Sequence, residues 1–227
     1  MTVLTEIPFT ISLQRLLTQL HLGEDSDEAA EFSTLVELAN QAGRPKAACR
    51  EAYITARAQD SVQIDGAWFT SRTLARKLAD VQRVFLAIAT CGSEMDQANP
   101  AAGDPLLEYA WDLLKMDLLN AARIHLTSYI RRQYQLAVTA SMSPGSGDAS
   151  IWPIEQQRQL FGLMPDYEKQ LGVRLTDSCL MVPNKTISCI IFRADKDFRT
   201  CVVCQRENCP ARRAVFDQAE WAALQQD

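Results

Sequence analysis

Histidine is nearly missing from this chain: His21 and His125 are the only two in 227 residues, and they stand far apart. Without paired histidines, a His-x-x-x-His site or a histidine–carboxylate metal site has no support. A basic excess is missing as well. Lys and Arg total 23 against 28 Asp and Glu, for a net charge of −5, which argues against a nucleic-acid partner, since that needs a basic face. No apolar run approaches the roughly 18 residues of a membrane span. Met1 to Ile7 carries an early acid, Glu6, and no basic n-region, so no signal peptide is expected. Repeats, low-complexity tracts and long linkers are also absent. Enough apolar residues remain, 47% of the chain, to bury one sizeable core with a small appendage. Cysteine is the exception to the scarcity. There are seven, an odd number, and three crowd near the end, which fits a metal or redox site in a reducing cytoplasm better than a disulfide framework. The expectation is a soluble cytoplasmic protein.

Local patterns place the elements. Leu13, Leu16, Leu17 and Leu20 recur at helical spacing. Asp25 to Gly43 reads as a second helix, with Asp25 and Ser26 as N-cap candidates, acid in its first turns and Gly43 as its stop. Ala47 to Ala58 reads as a strand, and Val62 to Thr70 as a hairpin around Asp65-Gly66, a type I′ sequence. Ser71 caps a helix running to about Ala79, and Val84 to Thr90 is a buried strand. Pro105 to Tyr134 is the longest helical run, and no Pro or Gly interrupts it. A helix is expected from Ile154 to Leu163. Two strands, Ser178 to Val182 and Ile187 to Phe192, are expected to pair across the turn Pro183 to Thr186. Trp221 and Leu224 belong to a last short helix. Helices mixed with antiparallel hairpins imply an α+β fold, not a doubly wound sheet.

Between the long helix and the next lies Ser141 to Asp148, SMSPGSGD. Glycines let a backbone approach a ligand closely, and successive amides in such a loop can form a nest for an anionic or polar group. Standing alone, a Pro/Gly loop between helices is usually a connector. Gly145-x-Gly147 follows a helix rather than a strand, so it fails as a dinucleotide fingerprint.

The loop has company. Downstream come QRQLFGLM at 157–164, GVRLTDSCLMVP at 172–183 and ISCIIF at 187–192; upstream come VFLAIATCGSEMD at 84–96 and Gly103-Asp-Pro105. In this order the chain, from about Phe9 to Phe198, resembles the AdoMet-binding activation domain of cobalamin-dependent methionine synthase, in a stand-alone form. The resemblance implies a bent antiparallel sheet with packed helices that binds S-adenosyl-L-methionine on its concave side. It also implies a corrinoid protein as partner, whose inactive cob(II)alamin is reduced by an external electron donor and remethylated by AdoMet. The family domain positions these groups and does little bond chemistry itself. No catalytic residue is therefore expected.

Carried over residue by residue, the resemblance assigns the AdoMet site to Asn120, Ser141, Ser143, Pro144, Gly145, Ser146 and Phe198. The family loop reads Arg-x-Ser/Ala-Pro-Gly-Tyr, so Ser141 and Ser146 stand where it carries the arginine and the tyrosine. Asn120 stands where it carries a helix glutamate. Losing a charge-assisted arginine–carboxylate bond forfeits about 1.5–3 kcal/mol, or roughly ten- to a hundredfold in affinity. Arg123, Arg131 and Arg132 are the first places to look for a substitute.

Cys201, Cys204 and Cys209 form C-x2-C-x4-C. Such spacing can chelate zinc or bind an iron–sulfur cluster, and spacing alone does not separate the two. Cys91, Cys179, Cys189 or a partner is the expected source of a fourth ligand. The alternative reading of the chain is a non-catalytic docking module that carries this metal and has lost AdoMet. Residues 1–198 are assigned to the activation-like domain, with 1–45 as an N-terminal helical part, and 199–227 to a Cys-rich extension. Asp104, Glu108 and Asp112 read as a solvated helix stripe.

Overall fold

The computed structural model describes residues 1–23, 28–100, 103–147, 150–196, 198–209 and 212–225. Thr2–Leu4 forms β1, and α1 is Leu13–Leu20, started by the Ser12 hydroxyl, which accepts from the Arg15 amide at 3.3 Å. Helix α2 is Ala29–Ala42; its expected caps, Asp25 and Ser26, lie outside the described residues. A long strand β2, Lys46–Ala58, is followed by the hairpin of β3, Ser61–Ile64, and β4, Ala67–Thr70. Both turn residues, Asp65 (φ 45°) and Gly66 (φ 89°), take the positive φ of a type I′ turn. Ser71 caps α3, Arg72–Lys77, accepting from the Leu74 amide at 3.0 Å. Strand β5 is Arg83–Thr90 and the short α4 is Glu94–Gln97.

Helix α5 runs from Pro105 to Tyr134. Its ends are written locally. Asp104 accepts from the amides of Leu106 and Leu107 at 2.9 and 3.1 Å, and Pro105 fills the first position, where no N–H is needed. Asp104 is thus a cap, and Asp112 pairs with Lys185 at 2.6 Å, so the supposed acidic stripe is structural at both ends. After α5 come β6, Thr139–Met142; a 3₁₀ turn, Ile154–Gln156; α6, Gln157–Gly162; and α7, Tyr167–Leu171. The chain closes with β7, Arg174–Leu175; β8, Met181–Val182; β9, Thr186–Arg193; a 3₁₀ turn, Thr200–Val203; and α8, Gln218–Gln225.

The main sheet has the order β4-β3-β2-β5-β9-β6, with β1 on β2, and every pair is antiparallel. The fold is α+β as expected, but one pairing differs from the expected one. β9 lies between β5 and β6, whereas β8 pairs with β7 in a separate two-stranded ribbon. Burial explains the choice. From Ser188 to Phe192 both faces of β9 are buried, which demands an interior place in the sheet, while Leu180, in the segment expected to pair with it, is largely exposed.

One sheet face, through Val84, Leu86, Ile88, Ile190 and Phe192, packs on Trp152, Leu160, Phe161 and the residues after β9, including Phe198, Val203 and Leu224. The other face, through Ala47, Ala87, Ala89, Cys189 and Ile191, receives Leu119, Ala122, Leu126 and Ile130 of α5. A third cluster joins α1 and α2 to the first half of α5 around Phe32 and Trp111. The Cys-rich extension therefore folds onto the main core.

A charged latch holds that extension. Lys77 of α3 bonds Glu220 of α8, Lys196 reaches the same carboxylate at 3.2 Å, and the Lys77 ammonium sits 4.2 Å from the centre of the Phe198 ring. The Lys77 hydrogen bond, ahead of other effects, holds the Glu220 carboxyl below its ordinary range. A depressed carboxylate pKa stabilises the fold above the unfolded-state pKa, and that stability is lost as pH falls through the folded-state value. Urea melts of wild type and Glu220→Gln should differ by about 1 kcal/mol at pH 7 and converge near pH 3. An equal gap at both pH values contradicts the latch.

Candidate functional site

A groove of about 1050 Å³ runs along one flank of α5. It is bounded by that helix, by β9 and β6, by the loop after β6 and by the residues after β9. Ligand pockets commonly occupy about 300–1,000 Å³, so the space suits a nucleoside-sized molecule. Helix α5 offers Asn120, Arg123, Thr127 and Arg131, spaced three and four apart on one face beside the stripe that packs on the sheet. All seven residues of the expected AdoMet site line this groove: Asn120, Ser141, Ser143, Pro144, Gly145, Ser146 and Phe198.

Their local roles differ from the sequence reading. Ser141 lies in the edge strand β6, in register with Ile191, rather than in the loop, and Asp148 falls outside the described residues. The loop itself is a turn in which the Ser146 amide donates to the Ser143 carbonyl at 3.1 Å, with Pro144 second and Gly145 third at φ 75°. That is a type II turn, which needs glycine at its third position. The Gly145 amide donates to the Trp152 carbonyl at 2.9 Å. Both amides are spent inside the fold, so the expected nest does not form there. A Cβ on Gly145 would lie 2.9 Å from Ile154, which makes the glycine a requirement of the turn and its packing, not of a ligand's approach. Phe198 is buried at 6% exposure and covered by Lys77, closer to a core ring than to an open stacking platform.

The groove is cationic in a chain of net charge −5. Arg15, Arg123, Arg131, Lys185, Arg199 and Arg213 line it, against a single acid among the described residues, Asp117. Arg15 holds Asp117 at 2.8 Å, while burial raises that carboxyl above its ordinary range. Arg131 crosses from α5 to β6, donating from Nε to the Thr139 hydroxyl at 2.9 Å and from Nη2 to the Thr139 carbonyl at 3.4 Å. Arg123 is half-buried, and its Nε has no hydrogen-bond partner among the described residues. Burial first, then the charges of Arg213 and Arg199, lower its pKa. Arg132 is not among the lining residues. Arg199 and Arg213 were invisible in the sequence because they sit in irregular segments with no periodicity to read.

The three clustered cysteines differ in their surroundings. Cys201 lines the groove half-exposed, Cys204 is buried in the core and Cys209 is half-exposed. Among the described residues, no three Cys, His, Asp or Glu side chains gather into a set able to hold a metal ion. Burial raises two expected fourth ligands, Cys91 and Cys189, to about 12, which opposes the thiolate a metal needs. As they lie, the described residues do not fit a zinc or iron–sulfur site. An arginine organises the segment instead. Arg212 donates to the carbonyls of Cys201 at 3.1 Å, Cys204 at 3.2 Å and Ala214 at 3.4 Å, and also to that of Arg206. The Cys201 sulfur accepts from the Arg213 amide at 3.4 Å.

No protein-family model matches this chain, and no curated protein matches it. Among solved structures it is similar to the crystal structure of the MetH reactivation domain bound to AdoHcy, with a TM-score of 0.56 at 16% identity. The match spans 88% of this chain and 81% of that one. The fold is that of the MetH reactivation domain. No helix among the described residues is long and apolar enough to cross a membrane.

Arg212 generates a test. Removing its fork frees four carbonyls and loosens Cys204, so Arg212→Ala should speed labelling of Cys204 by a thiol reagent about tenfold or more, each lost charged bond being worth about 1.5 kcal/mol. Arg212→Lys should rescue only part, lacking the planar fork. Unchanged labelling in both variants contradicts the staple.

Proposed function

We propose that this chain is an AdoMet-binding activation module that serves the corrinoid protein of a methyltransferase system. The observation that carries the reading is the convergence of seven carried-over positions on one groove, in a chain with the fold of a domain crystallised with AdoHcy. AdoMet, when bound, supplies a methyl group on a sulfonium; the cobalt that accepts it belongs to the partner. This chain's residues bind and orient. Asn120 accepts from the ligand's ammonium through its amide oxygen. Arg131, fixed by Thr139 two residues from Ser141, supplies the guanidinium that position 141 lacks. Its Nη1 makes no hydrogen bond among those of the described residues and is available to a carboxylate.

Charge sets the order of affinities. AdoMet carries a sulfonium and an ammonium against one carboxylate, whereas AdoHcy has lost the sulfonium charge. In a groove with surplus arginines, AdoHcy should bind more tightly than AdoMet. A second reading, a docking module on this fold without AdoMet, draws support from the spent amides of Gly145 and Ser146. Calorimetry decides between them. Heat with AdoHcy, weakened about ten- to a hundredfold in Arg131→Gln, is the expected result. No heat with either ligand at millimolar concentration refutes the activation reading.

A further inference from the structure

We propose that Cys201 and Cys204 form a redox-active dithiol site, in which Cys201 meets a low-molecular-weight disulfide and Cys204 resolves the product. The proposal does not rest on AdoMet binding. Both residues are free thiols, and they stand at the two ends of one hydrogen-bonded turn. The Cys204 amide donates to the Cys201 carbonyl at 3.4 Å, closing the 3₁₀ turn Thr200–Val203. A turn of this kind holds its end Cα atoms within about 7 Å. Disulfides span about 4.4–6.8 Å between Cα atoms, so the backbone already offers the right separation. At three residues per turn, side chains three apart also fall on the same side. A second contact fixes the pair. The Arg212 guanidinium donates through Nη1 to the Cys201 carbonyl at 3.1 Å and through Nη2 to the Cys204 carbonyl at 3.2 Å. One planar fork therefore ties both ends of the turn together.

Their surroundings divide the work between them. Cys201 is half-exposed and lines the groove, so an incoming reagent reaches it first. Its sulfur accepts from the Arg213 amide at 3.4 Å, and a donor placed there steadies the negative charge that the sulfur carries as it attacks. Cys204 is only 5% exposed, in the core cluster that holds Phe198, Val203 and Leu224. A bulky reagent is kept from it, while Cys201 is beside it. The exchange then runs in two steps. The Cys201 thiol gives up its proton and its sulfur attacks one sulfur of the small disulfide. That S–S bond breaks, a mixed disulfide forms on Cys201, and one thiol leaves with the proton. The Cys204 thiol next gives up its proton and attacks the Cys201 sulfur, and the second thiol leaves in the same way. The protein pair has lost two electrons and two protons, and the reagent disulfide has become two thiols. Closing so short a loop restrains the unfolded chain only a little, which suits a reversible bridge better than a structural staple.

The test uses the full chain, reduced and then equilibrated in a series of buffers of oxidised and reduced glutathione. Acid quenching, alkylation of the remaining thiols and peptide mass spectrometry read the products. The expected product is a Cys201–Cys204 bridge, seen as the loss of two hydrogens from the peptide that carries both cysteines and reversed by dithiothreitol. In Cys204→Ala, which keeps the buried position small and apolar, Cys201 should instead retain glutathione as the main product. Cys201→Ser should lose both the bridge and the glutathione adduct. Cys209→Ser should bridge as the wild type does. The wild-type and Cys209→Ser maps decide the outcome without any change to the core. A bridge through Cys209, glutathione persisting on Cys201 of the wild type, or no oxidised product in either map overturns the pair.

Discussion

The contact between one 30-residue helix and one face of the sheet governs the rest of this molecule. Leu119, Ala122, Leu126 and Ile130 of α5 lie on a floor built largely of alanine and cysteine from β2, β5 and β9. Small side chains let the helix come close, and the close approach sets what its flank can reach. One step around the helix, Asn120, Arg123, Thr127 and Arg131 then face the groove rather than the floor. Farther back, Trp111, Leu114 and Leu118 gather α1 and α2. A shift of this helix would move every α5 residue of the groove together.

Charge is the second constraint. A chain with an excess of acid lines the groove beside α5 with several arginines, and among the described residues the one carboxylate there, Asp117, is already engaged. A cleft lined by one sign of charge concentrates its field on whatever enters. Two of those arginines arrive on the segment after β9, which is held by the Lys77–Glu220 latch and by the Arg212 fork. The extension is thus part of the groove's wall, and Arg212 ties together the backbone around Cys201 and Cys204.

Legibility followed the range of the forces. The bounds of α5 are local: the Asp104 side chain, Pro105 at the first position and an unbroken run to Tyr134. Asp65-Gly66 likewise announces its hairpin by backbone preference alone. The place of β9 was not local, because it depends on which strands are left to cover both its faces. Strand β6 is short and carries Thr139 and Ser141, so it reads as loop until its neighbour is known. The loop after it was recognisable as Pro-Gly, but the partner of the Gly145 amide, the Trp152 carbonyl, comes from the far side of the same loop. The burial of Cys204 against the main core could not be read from its spacing to Cys201 and Cys209, because it depends on distant parts of the chain.

The groove beside α5 is the proposed seat of an AdoMet-class ligand. A crystal structure of the protein grown with AdoHcy tests that most directly. The predicted result is AdoHcy density between α5 and the loop after β6, with its carboxylate on Arg131 and its ammonium beside Asn120. AdoHcy seated on another surface, with this groove holding none, would contradict it.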